Sequence, residues 1–312
     1  MEKSPGAGGE LLFVLPTYAA SQVANATELA AMAAECGFAP IIVCNSLETT
    51  TALSDNPFAI SAGQNLGYGG AANLVAGKHS FRTIVICNDD MQFSDGAMDA
   101  LYSTLNNLVS GSATIIGFLP EEKPNIAPLP GVLGVISRVS GFSGVTQRIR
   151  ERRMRLLARW NDSTSSSFKL SADSISFPFS CVAITAEAWA SLTGFDARFP
   201  LYFEDMDLLA RAYRGETVEI RVILAKCTHP HSASARKSLG YILPLAAIGA
   251  RNYLILDVGR TRRAAALIVT AGLMVRILCW VPVRRNRRAE LSAIIKAIAA
   301  AWSTDAVLMP PW

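Results

Sequence analysis

The sequence predicts an α/β fold, a doubly wound mixed sheet with helices on both faces and a helical appendage towards the C-terminus. Three observations carry this expectation. Short apolar runs at residues 11–15, 41–44, 58–61 and 83–87 alternate with helical stretches, as buried strands joined by crossover helices do. Each of these runs stops at a polar or glycine-rich cluster. After Ser238 the chain becomes helical in pattern and oily. A length of 312 residues is enough for one large domain and that appendage.

The first run, Leu-Leu-Phe-Val-Leu at 11–15, ends at Pro16, Thr17 and Tyr18, and the Ala-rich periodic stretch 21–36 is closed by Gly37. Strands are expected next at 41–44 and 58–61, separated by a polar stretch. Residues 65–70 read as a Gly-rich turn that feeds a helix to about residue 78, and 83–87 is a further buried strand ending at Asn88, Asp89 and Asp90. Sheets of this kind bind ligands beyond the carboxyl ends of their strands, where Pro16–Thr17, Asn45–Ser46 and Asp89–Asp90 fall. Residues 119–175, rich in Pro, Gly and Ser, are expected to be irregular and carry a basic run at 147–160. The apolar pattern resumes at Phe177, a strand is expected at 219–224, and 194–215 holds the densest set of acidic and aromatic residues. No internal repeat is present.

Composition narrows the class. The chain is 51% hydrophobic with a mean hydropathy of +0.29, oily for a freely soluble protein. Six cysteines lie far apart without a C-x-x-C pair, which argues against a zinc site or a disulfide framework and fits a reducing compartment. The opening MEKSPGAGGE has no apolar core of a secretory signal, so a cytoplasmic location is expected. The net charge is only +4, but arginines gather at 148–159 and 260–288, interleaved with apolar residues. A solvated face is the ordinary reading of such clusters; the interleaving points towards an anionic membrane surface. No nucleic-acid-binding motif accompanies them, so no nucleic-acid partner is expected.

Four groups of residues carry possible chemistry. Asp89 and Asp90 follow a buried strand, where paired carboxylates need a cation; hard oxygen ligands suit Mg²⁺ or Mn²⁺, although Asn and Asp also form plain turns. Glu204, Asp205 and Asp207 lie together beside Phe195, Phe199, Tyr202 and Phe203. A carboxylate at a helix start could act as a general base or only as an acidic first turn. His229 and His231 are two of three histidines and could complete an oxygen-bound metal; the third, His79, has no assigned role. The glycines of Asn65-Leu66-Gly67-Tyr68-Gly69-Gly70-Ala71-Ala72-Asn73 could let backbone N–H groups approach a phosphate, but neither G-x-G-x-x-G nor a Walker lysine is present.

In order and spacing these pieces resemble the family 2 inverting glycosyltransferases of the GT-A fold, in the rhamnosyltransferase-like and galactofuranosyltransferase-like branch. The resemblance spans roughly residues 10–240 and rests on Pro16-Thr17-Tyr18, the Asn65–Asn73 glycine motif, Asn88-Asp89-Asp90, Gly194-Phe195-Asp196, Tyr202-Phe203-Glu204-Asp205-Met206-Asp207-Leu208, Arg211, Gly215 and His229. It implies a hexosyltransferase using a dTDP-rhamnose-like or UDP-sugar donor and Mg²⁺ or Mn²⁺. Asp90 would hold the metal, with His229 or alternatively His231 as a further ligand. Asp205 would be the catalytic base, and Glu204 and Asp207 would shape the acceptor site. Pro16, Thr17, Tyr18, Asn45, Asn65, Gly67, Asn73 and Asp89 would meet the donor. The family places an Asp after its second strand to contact the nucleotide base; here Cys44 stands there, followed by Asn45, so either Asn45 takes over that contact or base recognition differs.

On this reading residues 1–9 are a flexible lead, 10–238 the catalytic domain and 239–312 a helical, membrane-associated region. Residues 264–283 have the length of a membrane span, but Arg276 interrupts them and arginines flank both sides equally. A helix lying in the cytoplasmic interface fits better than a span, with packing on the sheet or on a second protomer as the alternative. The expected acceptor is a glycan or lipid-linked glycan of the cell envelope, and the expected place is the inner face of the cell membrane. The competing readings are a nucleotidyltransferase and an inactive membrane scaffold of the same fold.

Overall fold

The computed structural model describes residues 10–122, 124–142, 167–169, 175–229, 239–283 and 286–304. The expected lead at 1–9, the basic run at 147–160, and His231 lie outside the described residues. The elements are β1 (Leu11–Thr17), α1 (Val23–Glu35), β2 (Ala39–Cys44), α2 (Leu47–Ala52), β3 (Ala59–Ser61), α3 (Gly67–Lys78), β4 (Thr83–Cys87), β5 (Gln92–Phe93), α4 (Ala97–Asn106), β6 (Thr114–Pro120) and β7 (Ala127–Pro128). There follow α5 (Val132–Val139), β8 (Ser167–Lys169), β9 (Ile175–Ser176), β10 (Cys181–Thr185), α6 (Ala186–Leu192), α7 (Glu204–Gly215), β11 (Glu219–Ala225), β12 (Cys227–Thr228), α8 (Leu239–Leu256), α9 (Arg262–Trp280) and α10 (Arg287–Trp302).

Eight strands form one mixed sheet in the order β3-β2-β1-β4-β10-β6-β11-β8. The pairs β2/β3, β1/β2, β1/β4 and β6/β11 are parallel; β10 runs antiparallel to both β4 and β6, and β8 antiparallel to β11. The chain winds outward from β1 to β3 and then returns to β4 on the other side of β1. The switch point between those two directions is therefore at the carboxyl ends of β1 and β4, where a crevice forms. Both faces are covered, which is why the central strands are apolar on both sides. Val14, Val43, Ile84 and Ile86 pack with Ala72 and Val75 of α3 and Leu208 of α7 on one face. Phe13, Ile42 and Val85 pack with Leu29 of α1 and Leu101 of α4 on the other.

Two elements depart from expectation. The polar stretch after β2 contains α2, held by a capping box in which Ser46 and Thr49 exchange side-chain and backbone hydrogen bonds; its run of threonines has weak helix propensity by itself. The segment expected to be irregular contains α5, an apolar helix that packs against the C-terminal helices. There α5, α8, α9 and α10 bury Val135, Tyr253, Val269 and Ile294 with Phe203 at the start of α7 and Met206 within it. Gly272 permits the approach of α9 to α5, since a Cβ there would stand 2.3 Å from Val139 Cγ2. The C-terminal helices are thus packed onto the element that carries the acidic motif.

Candidate active site

The turn after β4 is fixed from three sides. Asn25 of α1 donates to Asp89 O at 2.6 Å and to Met91 O at 3.2 Å. The Asn88 N–H donates to Ser180 O at 2.8 Å, just before the antiparallel strand β10. The two-residue ribbon β5/β12 pairs Gln92 with Thr228, so the register carries His229 to the level of Met91, one residue from Asp90. His229 Nε2 accordingly lies 2.8 Å from Asp90 Oδ1. Its Nδ1 is 3.2 Å from Ser180 Oγ, and Asn88 Nδ2 is 3.3 Å from Nε2. As these contacts stand, Nε2–H donates to the Asp90 carboxylate and Nδ1 accepts from the Ser180 hydroxyl; with the proton moved to Nδ1, the Nε2 lone pair would be free for a cation between it and Asp90.

Asp89 sits behind this pair. Burial and then the neighbouring Asp90 charge push its carboxyl up to about 7, offset in part by the Thr17 hydroxyl. A half-buried carboxylate beside a second one is costly without a cation. Among the described residues no three His, Cys, Asp or Glu side chains converge as a metal cluster. An ion of the Mg²⁺ type needs fewer, since it takes one or two protein ligands and fills its shell with water and phosphate oxygen. With bonds of about 2.1 Å, adjacent octahedral ligands stand about 3.0 Å apart, close to the 2.8 Å between Asp90 and His229. The donor set fits such an ion.

The expected donor residues divide by what they touch. Thr17 is fully buried at the end of β1, whereas Tyr18 beyond it is exposed. Asn45 is buried after β2, where its Oδ1 accepts from Leu66 N at 3.2 Å and its Nδ2 approaches Gly67 O at 3.4 Å. Asn65 Oδ1 accepts from Gly67 N at 3.0 Å. Helix α3 therefore starts earlier than the sequence suggested, at Gly67 (φ 67°), and its first free N–H groups are satisfied by asparagines. Gly69 is small because Phe195 Cβ would lie 2.8 Å from a Cβ there. Asn73 spends both ends of its amide on the Phe195 backbone, at 2.8 and 3.0 Å. Asn45, Asn65 and Asn73 shape the crevice by holding its backbone.

The acidic motif opens α7. Tyr202 and Phe203 precede it in the left-handed region, at φ 63° and 69°, a conformation that costs roughly 1–3 kcal/mol per non-glycine residue. Asp205 Oδ1 accepts from Met206 N at 2.8 Å. Burial raises the Asp205 carboxyl above its ordinary range, with Arg138 of α5 opposing. Burial, followed by the Asp205 charge, pushes Glu204 up to about 8, and Glu204 Oε2 is buried with no hydrogen-bond partner among the described residues. Asp207 is turned inward onto Arg211, at 2.7 and 2.9 Å, and Arg211 also donates to Leu192 O and Gly194 O. It braces the Gly194 turn against α7. Tyr68 holds the end of β4 to the strand entering β10, its hydroxyl meeting Ile86 O at 3.2 Å and donating to Phe179 O, and the charges of Glu204 and Asp205 act on it. Sequence reasoning missed Asn25 and Ser180, which no local pattern distinguishes, and Arg138, which lies in the segment read as irregular. A hollow of about 390 Å³ against the β5/β12 ribbon includes neither Asp90 nor Asp205 among its lining residues and is not this site.

The strained turn is braced from behind by α8. A Cβ on Gly249 would stand 2.5 Å from Tyr202 O and 3.3 Å from Leu201 O, while Asn252 donates to Arg198 O at 2.6 Å. Gly249→Ala gains at most about 1 kcal/mol of helix propensity and forces backbone apart, which costs about 1–3 kcal/mol. The variant is expected to melt earlier and to lose turnover, while nucleotide affinity, measured by titration, stays at the wild-type value.

No family model and no curated protein matches the chain. Solved structures similar to it include a mannosyltransferase from Pyrobaculum calidifontis in complex with GDP-Man and Mn²⁺, at 12% identity over 96% of this chain and 88% of the other, with a TM-score of 0.44. GalNAc-T7 with UDP, GalNAc and Mn²⁺ is similar at 8% identity over 80% of this chain, which spans 50% of that protein, with a TM-score of 0.43. The inositol-1-phosphate CTP transferase from T. maritima is similar at 11% identity over 78% of this chain and 97% of the other, with a TM-score of 0.41. At TM-scores below 0.5 these likenesses carry no functional weight beside the chain's own residues.

Proposed function

We propose that the chain is an inverting, metal-dependent glycosyltransferase that moves a sugar from a nucleotide-sugar donor to a hydroxyl of a glycan or lipid-linked acceptor. The observation that carries this reading is the Asp90–His229 contact of 2.8 Å at the sheet's switch point, with Asp205 in the first turn of α7 as the base the reading requires. Asp90 and His229 would hold Mg²⁺ or Mn²⁺, with Asp89 behind them. Bound there, the ion supplies positive charge for the diphosphate that leaves.

The chain's own groups do the rest. The acceptor hydroxyl gives its proton to Asp205 while its oxygen attacks the anomeric carbon; the bond from that carbon to the donor phosphate breaks, and the nucleoside diphosphate departs with the electron pair. One displacement inverts the centre. Burial raises Asp205 towards the working pH, which favours a general base, and Glu204, held largely protonated at neutral pH, can donate a hydrogen bond to a sugar hydroxyl.

Calorimetric titration with UDP, dTDP and GDP, with and without Mn²⁺, tests the reading. One nucleotide is expected to bind only with metal, and Asp90→Ala to weaken it by about tenfold or more. Absence of binding under every condition defeats the proposal, and release of pyrophosphate from a nucleoside triphosphate would replace it with nucleotidyl transfer.

A further inference from the structure

We infer that the outer faces of α9 and α10 form one surface that docks peripherally on an anionic lipid bilayer. The inner stripe of α9, Ala265, Ala266, Val269, Gly272 and Leu273, is consumed by the helical core. Its outer stripe is equally apolar: Leu267 is 58% exposed and Leu278 72%, with Met274 and Val275 exposed between them. These positions recur at helical spacing along one side. Ile295 and Trp302 of α10 are exposed as well, and Trp302 Nε1 donates to Thr270 Oγ1 of α9 at 3.0 Å, so the two helices present adjoining surface. Burying such side chains is favourable wherever water leaves them.

Charge identifies the occupant. Residues 258–304 contain eight arginines and one lysine against a single acid, Glu290. That acid is buried and paired with Arg276 at 2.8 Å, so it offers nothing at the surface. Arg260, Arg262 and Arg263 are exposed at one end of α9, and Arg287 and Arg288 beyond the other. A second copy of this face would set arginine against arginine, with no exposed acid among the described residues of α9 and α10 to answer. An anionic headgroup layer over an acyl interior matches both features, basic ends and an oily middle. The segment Arg262–Val283 is long and apolar enough to cross a membrane, an 18-residue window within it reaching a mean hydropathy of 2.1. Its inner stripe and the Arg276–Glu290 pair bind it to the bundle, so it lies along the interface and enters only by its outer half.

Flotation of the full chain with vesicles tests this without nucleotide present, so its outcome and that of the nucleotide titration are independent. Binding is expected to vesicles of equal phosphatidylglycerol and phosphatidylcholine, to fall in 1 M salt, and to be weak on phosphatidylcholine alone. Met274→Ser with Leu278→Ser is expected to weaken it by at least about tenfold, and Arg260→Gln with Arg263→Gln by roughly fivefold per charge. All four positions are exposed, so circular dichroism and melting should be unchanged. Equal binding to both vesicle types, no binding to either, or undiminished binding by the apolar double variant overturns the inference. So does light scattering that shows a dimer dissociated by that variant, which would assign the face to a second copy.

Discussion

Asp205→Asn is expected to lower turnover about 10²–10⁴-fold while nucleotide and metal affinity remain those of the native protein. The amide keeps the shape and the Met206 N–H contact but cannot take the acceptor's proton. The pH profile distinguishes this from a structural defect. Because burial holds the Asp205 carboxyl above its usual range, kcat of the native enzyme should fall on acidification at a pH above that of an exposed aspartate, and the variant should lose this acid limb. Glu204→Gln is the matched control. With Glu204 pushed up to about 8, the side chain is protonated at pH 7 and donates a hydrogen bond, as glutamine can. That variant should retain most activity at pH 7 and lose the decline above pH 8. Equal damage from both substitutions would mean that the motif only builds the start of α7.

How far these roles were legible depends on the range of the interactions that create them. The strands from β1 to β4 could be read because an apolar run ending in polar residues is a local signal, and the strand-end positions of Thr17 and Asp89 followed from it. Asp207 was expected at the acceptor site, although it stands four residues from Arg211, a spacing that pairs on a helix. That both are consumed in bracing Gly194 depends on the carbonyls of Leu192 and Gly194, which the spacing does not reveal. Asn73 likewise stood out in the glycine motif, but its partner is the backbone of Phe195, far along the chain. His229 could be suspected from its rarity; only the β5/β12 ribbon, two residues long, brings it to Asp90. Helix α5 was hidden for a similar reason. Eight residues make a marginal helix by themselves, and the glycine that lets it dock belongs to α9.

The strongest stability effect is expected at Arg276, the residue that made residues 264–283 a poor membrane span. Its side chain is 12% exposed and that of Glu290 is 6% exposed, with Arg276 Nε donating to Glu290 Oε1 at 2.8 Å. Removing water from two charges costs several kcal/mol per ion, and the pair offsets this only while both members are present. Arg276→Leu leaves Glu290 charged inside the bundle and should cost about 3–5 kcal/mol in urea unfolding. Arg276→Leu with Glu290→Leu removes both penalties and should recover most of that loss, or exceed the native stability. If the pair instead mattered only through its bulk, the single and double substitutions would cost alike. Recovery in the double variant would place the role of Arg276 in joining α9 to α10, which is what leaves the opposite side of α9 free to face outward. Because the same bundle backs Tyr202 through Gly249, the single variant should also lose turnover before it unfolds, and the double variant should regain it.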